Sequence, residues 1–148
     1  MISLLSFIPL PPQDSLTLMS QLITHLFELI EHMYYQLTTL LPFTKHPATG
    51  FELIQLPNEI PRSPIFAILT PEPRSLAKHC QAAGFMVRPI VPPTVPEGTQ
   101  RVRVCLHAGN TYQDVERLVV SIKDWLEMRG KVEDAHESQQ PLLLKASL

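Results

Sequence analysis

The sequence predicts an α+β fold in which a long N-terminal helix precedes a small, mainly antiparallel sheet with helices packed on one face. Three observations carry this prediction. Apolar residues recur at helical spacing between residues 16 and 42, short segments of strand length follow, and further helical patterns or loops separate those segments. The predicted order is long helix, strand, helix, strand, strand, helix.

The long helix is predicted over residues 16–42. Its apolar positions recur every three or four residues, at Met19, Leu22, Ile23, Leu26, Ile30, Met33, Leu37 and Leu41. Asp14 or Ser15 can cap its start, and Pro42 ends it. At 1.5 Å per residue the helix would be about 39 Å long. A domain of this size does not cover that length, so part of the apolar face is expected to contact a partner.

Prolines divide the middle of the chain. Residues 43–62 are predicted to be a proline-rich loop with a possible short strand at 51–56, and residues 63–129 a small α+β domain. The domain opens with an apolar strand at residues 65–69. The next helix has Pro71 and Pro73 near its start and Gly84 just past its end.

Two further strands are predicted. Residues 85–90 form one, which Pro89 restricts to a sheet edge or a strand end. Residues 101–106 form the other and alternate strictly. One side carries Arg101, Arg103 and Cys105, and the other carries Val102, Val104 and Leu106.

The last helix begins with a capping-box pattern, Thr111 followed three residues later by Asp114. Its buried stripe is predicted to be Val115, Leu118, Val119, Ile122, Trp125 and Leu126. Gly130 is predicted to end it. Residues 130–148 are predicted to be a disordered tail, and residues 1–15 an irregular N-terminus.

Composition limits the function classes. The 148 residues carry a formal net charge of −2, so no basic field exists to attract nucleic acid or an anionic membrane surface. Glu28 and Glu31 lie inside the long apolar stretch and argue against a membrane span. Neither nucleic acid nor a membrane is expected as a partner.

The cysteines and the C-terminus bear on location. Cys80 and Cys105 lack metal-ligand spacing and are predicted to be free, buried thiols in a reducing compartment. The expected location is the cytoplasm. The peroxisome is the alternative, because Ala146-Ser147-Leu148 ends in leucine like a Ser-Lys-Leu signal but lacks its basic central residue.

The run from Arg88 to Leu106 is the most informative part of the sequence. Three prolines stiffen the loop before the arginine strand, so Thr94 and Arg103 can be pre-positioned at little entropic cost. The string Pro92-Pro93-Thr94-Val95-Pro96-Glu97-Gly98, then Arg101-Val102-Arg103 and the turn His107 to Thr111, closely resembles the C-terminal domain of the α-oxoamine synthases. These are pyridoxal-phosphate enzymes that condense an amino acid with an acyl-CoA. The resemblance extends more loosely over residues 16–128, about the last third of such an enzyme.

The resemblance implies the small-domain fold of fold-type I pyridoxal-phosphate enzymes and two substrate-binding residues. Arg103 corresponds to the arginine that grips the amino-acid carboxylate, and Thr94 to a threonine that contacts the substrate. From the residues alone, the two strand arginines could equally lie on a solvated face or pair with Glu97 and Asp114. Bacterial family members usually carry arginine just before Pro-Pro-Thr, where this chain has Val91. That contact with a charged acyl group is either missing here or taken over by Arg88.

The resemblance also implies pyridoxal phosphate as cofactor, bound by a lysine outside this chain. None of the five lysines, Lys45, Lys78, Lys123, Lys131 and Lys145, stands in the family's lysine motif. No catalytic residue is therefore assigned, no turnover is expected from the chain alone, and a second copy or a missing large domain is the expected partner.

The implied reaction is decarboxylative condensation of L-alanine with pimeloyl-CoA, as in biotin biosynthesis. Two alternatives stay open: another α-oxoamine synthase with different substrates, and a non-catalytic dimerisation or regulatory module.

Three histidines were weighed as site residues. His25 and His32 lie seven apart on the long helix without a third ligand nearby, and they are interpreted as polar-face residues rather than a metal site. His107 is expected to serve a turn or a hydrogen bond to the loop rather than to act as a base.

Overall fold

The structure, a computed structural model, describes the backbone of residues 13–137 and the side chains of residues 14–131. Its elements are α1 (Gln13–Thr38), a 3-10 turn (Leu41–Phe43), β1 (Ile65–Leu69), α2 (Pro73–Ala82), β2 (Arg88–Ile90), β3 (Arg101–Cys105) and α3 (Tyr112–Glu137). The predicted α+β class and order of elements are confirmed.

The three strands form one antiparallel sheet in the order β1-β3-β2, so β3 is the central strand. Arg103 lies opposite Ala67 of β1 and opposite Arg88 of β2. The edge position of β2 agrees with its proline, because Pro89 has no N–H to donate to a second neighbour.

The helices cover one face of the sheet. The buried side chains Phe66, Ile68, Val102 and Val104 alternate along β1 and β3 and face the core. Their neighbours form the other face, here called the open face: Ile65, Ala67, Leu69, Arg88, Ile90, Arg101, Arg103 and Cys105. Cys80 is buried as predicted, but Cys105 is exposed, because alternation places it on the open face.

Two helix ends follow their local signals. The C-cap of α2 is Ala83, and Gly84 after it has a φ of +95°, a backbone conformation that favours glycine. At the start of α3, Thr111 N–H donates to Asp114 Oδ2 at 2.9 Å and Asp114 N–H donates to Thr111 Oγ1 at 3.1 Å. These reciprocal bonds confirm the predicted capping box.

The other end of α3 differs from the prediction. The helix does not end at Gly130 but continues to Glu137, so residues 130–137 are helical rather than disordered. Glycine inside a helix costs only about 1 kcal/mol. The preceding turn is anchored by the buried Trp125 and by Arg129 Nε, which lies 2.8 Å from Glu72 Oε2. The predictions for residues 1–12 and 138–148 lie outside the described residues.

The first helix is half inside the domain and half outside it. It begins at Gln13, three residues before the prediction, and ends at Thr38. Its C-terminal half contributes Leu29, Ile30, Met33 and Leu37 to the core. Its N-terminal half exposes large apolar side chains, namely Leu16, Leu18, Met19, Leu22, Ile23 and Phe27. No helix among residues 13–137 is both long enough and apolar enough to span a membrane.

The possible strand at residues 51–56 does not form. Two isolated bridges, Lys45 with Glu52 and Gln55 with Leu69, take its place. The segment is also held to the domain by Thr70, whose hydroxyl donates to Leu53 O at 2.8 Å. Pairing is thus confined to single residues before Pro57, which has no N–H for a longer ladder.

Candidate functional site

The proline-rich loop before β3 consists of two consecutive turns. Thr94 N–H donates to Val91 O and Thr99 N–H donates to Pro96 O, each at 3.1 Å. Gly98 is the third residue of the second turn and has a φ of +81°, which a turn of this kind requires at that position. The loop therefore has a defined path into β3.

Arg103 lies in the middle of the central strand, on the open face. Its side chain is exposed, and no carboxylate of the described residues lies within ion-pair distance of it. The pairing with Asp114 that the sequence left open does not occur, because Asp114 Oδ1 lies 3.8 Å from Arg117 Nη1 instead. Arg103 thus presents a guanidinium group to the space beyond the open face.

Arg101 shares this face but has a different environment. It is half-buried, and its Nε donates to the carbonyl oxygen of Thr99 at 2.9 Å. The backbone of the loop therefore holds the Arg101 side chain, whereas no such bond holds Arg103. The sequence could not distinguish the two arginines in this way.

Thr94 lies at the end of the first turn and is exposed. No hydrogen bond joins it to Arg103 among the described residues. The structure therefore places the two predicted substrate-binding residues on the same loop-and-strand unit without a direct contact between them.

Arg88 is the residue whose position the sequence did not reveal. It is exposed and is the Cα partner of Arg103 across β2 and β3. The sequence analysis considered Arg88 only as a substitute contact for an acyl group. Strand register depends on the pairing of distant segments, so no local pattern indicates that the two arginines are opposite each other.

The three histidines have structural contacts. His107 N–H donates to Asn110 Oδ1 and Asn110 N–H donates to His107 O, both at 2.9 Å, which forms the predicted turn. His25 and His32 are half-buried rather than solvated. Their rings lie edge-on to Tyr112, with centroids 5.7 and 5.0 Å from it.

Cofactor and metal groups were sought over the same residues. Within 13–137, no cluster of three or more His, Cys, Asp and Glu side chains could hold a metal ion. The lysines in this range lie in the loop after α1 or on α2 and α3, and none is on a strand of the sheet. The described residues therefore do not provide the lysine that pyridoxal phosphate needs beside Arg103.

The comparisons with known proteins agree on one enzyme. No family model matches the chain. The 8-amino-7-oxononanoate synthase of Emericella nidulans is 54% identical over 69 residues, which are 47% of this chain and 17% of that protein. The protein of the same name from Saccharophagus degradans is 30% identical over 110 residues, 74% of this chain and 28% of that protein.

A third relative of the same name, from Leptothrix cholodnii, is 36% identical over 98 residues, 66% of this chain and 23% of that protein. The chain thus spans between 17 and 28% of the length of these curated relatives. It is homologous to part of 8-amino-7-oxononanoate synthase, and the predicted resemblance to the α-oxoamine synthases is confirmed.

Proposed function

We propose that this chain is the substrate-gripping part of a pyridoxal-phosphate-dependent acyltransferase of biotin biosynthesis. The whole enzyme would condense L-alanine with pimeloyl-CoA and release CO₂ and CoA. In this chain Arg103 would hold the carboxylate of the amino acid and Thr94 would contact the substrate. The chain alone would not turn over substrate.

The observation that carries the proposal is the position of Arg103. An exposed guanidinium without a carboxylate partner, in the middle of a central strand, is available for an external anion. Paired strands on both sides fix the backbone at this position, so little order has to be created when the anion binds. A guanidinium can donate two parallel N–H bonds to a carboxylate, which fixes both the position and the plane of that group.

The cofactor does not belong to the residues described here. Pyridoxal phosphate supplies an electron sink when bound to its enzyme, but it requires a lysine that the described part of this chain does not place near the open face. The chain's own contribution is therefore binding and orientation. In the whole protein, a large domain would have to provide the cofactor.

The test is a chimera in which the segment of the Emericella nidulans protein that matches this chain is replaced by the corresponding segment of this chain. Arg103→Ala should lower kcat/KM for L-alanine about a hundredfold, because a buried, charge-assisted carboxylate bond contributes about 2–3 kcal/mol. Arg103→Lys should recover only part of the loss, since an ammonium lacks the planar fork.

Arg101→Ala is the matched control, an arginine on the same strand and face whose Nε bonds to the backbone. It should change kcat/KM much less. A defect of Arg101→Ala equal to or larger than that of Arg103→Ala would contradict the assignment, and so would activity that depends on neither arginine.

A second candidate function has its own observation. The N-terminal half of α1 exposes Leu16, Met19, Ile23 and Phe27 at helical spacing, and exposed strips of this kind tend to be interfaces. The chain could thus be a non-catalytic module that dimerises through α1. Sedimentation of the chain and of a Leu16→Ser, Ile23→Ser variant distinguishes the cases: a stable monomer at high concentration rules the module out.

The location follows the function. Biotin-precursor chemistry of this kind is proposed for the cytoplasm, with the peroxisome as the alternative set by Ala146-Ser147-Leu148. A fluorescent reporter that carries only these three terminal residues should stay in the cytosol. Its concentration in peroxisomes would favour the alternative.

A further inference from the structure

Arg88 and Arg103 form a cross-strand pair of like charge. They are Cα partners in the antiparallel pairing of β2 with β3, and both are exposed. Directly opposite residues of an antiparallel pair have Cβ atoms about 4.5–5.5 Å apart and project from the same face of the sheet. The two guanidinium groups can therefore reach a common point above the open face.

Nothing on the open face offsets this charge. The other outward residues of β1 and β2 are apolar, namely Ile65, Ala67, Leu69 and Ile90. The ion pairs of the described residues involve Arg117, Lys123, Arg129 and His32, but neither Arg88 nor Arg103. Like charges placed directly opposite each other destabilise a sheet, so an anion between them would relieve a repulsion that the fold leaves in place.

We propose that Arg88 is a second arginine of the carboxylate grip, so that one carboxylate is held between Arg88 and Arg103. This inference rests on the proposed role of Arg103 and adds a residue to it. It differs from the contact with an acyl group that the sequence left open for Arg88, because both arginines now bind the same anion. Two forks from opposite sides satisfy more oxygen lone pairs than one and orient the carboxylate more strictly.

The experiment is an NMR titration of the full chain labelled with ¹⁵N in its arginine side chains. Sodium acetate replaces sodium chloride at constant ionic strength, so general screening stays unchanged. The Nε–Hε signals of Arg88 and Arg103 should shift with a common dissociation constant. Arg62 is the internal control, an exposed arginine that precedes β1 and lies outside the sheet, and its signal should not follow the same curve.

Two variants quantify the role of Arg88. Arg88→Gln should weaken acetate binding at Arg103 about fivefold, as expected for the loss of one exposed charge-assisted contact. Arg88→Lys should give an intermediate value, since it keeps the charge without the fork. The amide spectrum of each variant checks that the fold is unchanged, and the wild-type titration needs no variant at all.

The outcomes separate this inference from the function on which it rests. If Arg103 shifts while Arg88 does not, and Arg88→Gln binds acetate like the wild type, the second arginine is refuted and the role of Arg103 stands. If neither signal shifts more than that of Arg62, the shared site is refuted. The chimera kinetics then decide on Arg103 independently.

Discussion

Tyr112, the first residue of α3, donates a hydrogen bond from its phenol group to Glu28 Oε2 of α1 at 3.0 Å. The edges of His25 and His32 approach the same ring, and His32 Nε2 lies 3.2 Å from Glu116 Oε1 without hydrogen-bond geometry. His25 Nε2 is also within hydrogen-bond distance, 2.9 Å, of Asn110 O. These contacts join α1 to the start of α3, at the point where α1 begins to leave the domain.

The contribution of this joint can be divided between ring and hydroxyl. Tyr112→Phe keeps the ring contacts and removes the bond to Glu28, whereas Tyr112→Ala removes both. The midpoint of urea unfolding should therefore decrease slightly for the Phe variant and more for the Ala variant. An equal effect of the two variants would mean that the ring contributes nothing.

The same bond predicts a pH dependence. Hydrogen bonding to Glu28, with smaller contributions from burial and from the charge of that carboxylate, raises the pKa of Tyr112 above its ordinary value of 10.0. A raised pKa means that the stabilisation is fully present below pH 10.0 and is lost as the pH rises through the higher, folded-state pKa. The difference in stability between wild type and Tyr112→Phe should thus be constant near neutral pH and vanish in strong base.

Asp114 should have the opposite pH dependence. Its pKa is lowered from 3.8, chiefly by the backbone N–H of Thr111 and also by hydrogen bonds from the side chains of Thr111 and Asn110 and by the charge of Arg117. The stabilisation is present above pH 3.8 and is lost as the pH falls through the lowered pKa. Asp114→Ala should be less stable than the wild type at neutral pH, and the gap should close in acid.

The control for this prediction is Asp124→Ala, an exposed aspartate in the middle of the same helix. It removes a carboxylate without removing a capping bond and should change stability little at either pH. A gap between wild type and Asp114→Ala that persists unchanged in acid would refute the capping role of the charge.

The elements that the sequence predicted well are those with local signals. The capping box of Thr111 and Asp114, the glycine after α2 and the alternation of β3 each depend on residues within a few positions of one another. Their physical causes, a capping bond, a left-handed backbone and a two-residue period, act at the same range. Tertiary packing did not change them.

The misses have non-local causes. The pairing of Arg88 with Arg103 follows from the register of two strands separated by a loop, and the contact of Tyr112 with Glu28 follows from the packing of the first helix on the last. Cys105 was predicted to be buried by its residue type, although its own alternation with Val104 placed it outward. At Gly130, tertiary contacts of the preceding turn outweigh a weak local preference.

The lysine assignment predicts the outcome of a labelling experiment. When the full chain is incubated with pyridoxal phosphate, reduced with borohydride and mapped by peptide digestion, no single lysine should be modified stoichiometrically. Lys45, Lys78 and Lys131 are exposed and should react weakly and to similar extents. One lysine modified to completion would show that the chain holds the cofactor by itself and would contradict its proposed dependence on a large domain.

Two glycines should respond in opposite directions to the same substitution. Gly84 has a φ of +95°, where a side chain is strained even though no atom lies within 4 Å of an added Cβ, so Gly84→Ala should lower the free energy of unfolding by about 1–2 kcal/mol. Gly130 lies in the interior of α3, and an added Cβ would meet Pro47 Cδ at 3.6 Å, an ordinary contact. Gly130→Ala should therefore raise the free energy of unfolding by about 0.5–1 kcal/mol, because alanine loses less backbone entropy in a helix. Urea unfolding of both variants measures the difference, and a destabilised Gly130→Ala protein would mean that the helix does not continue through residue 130.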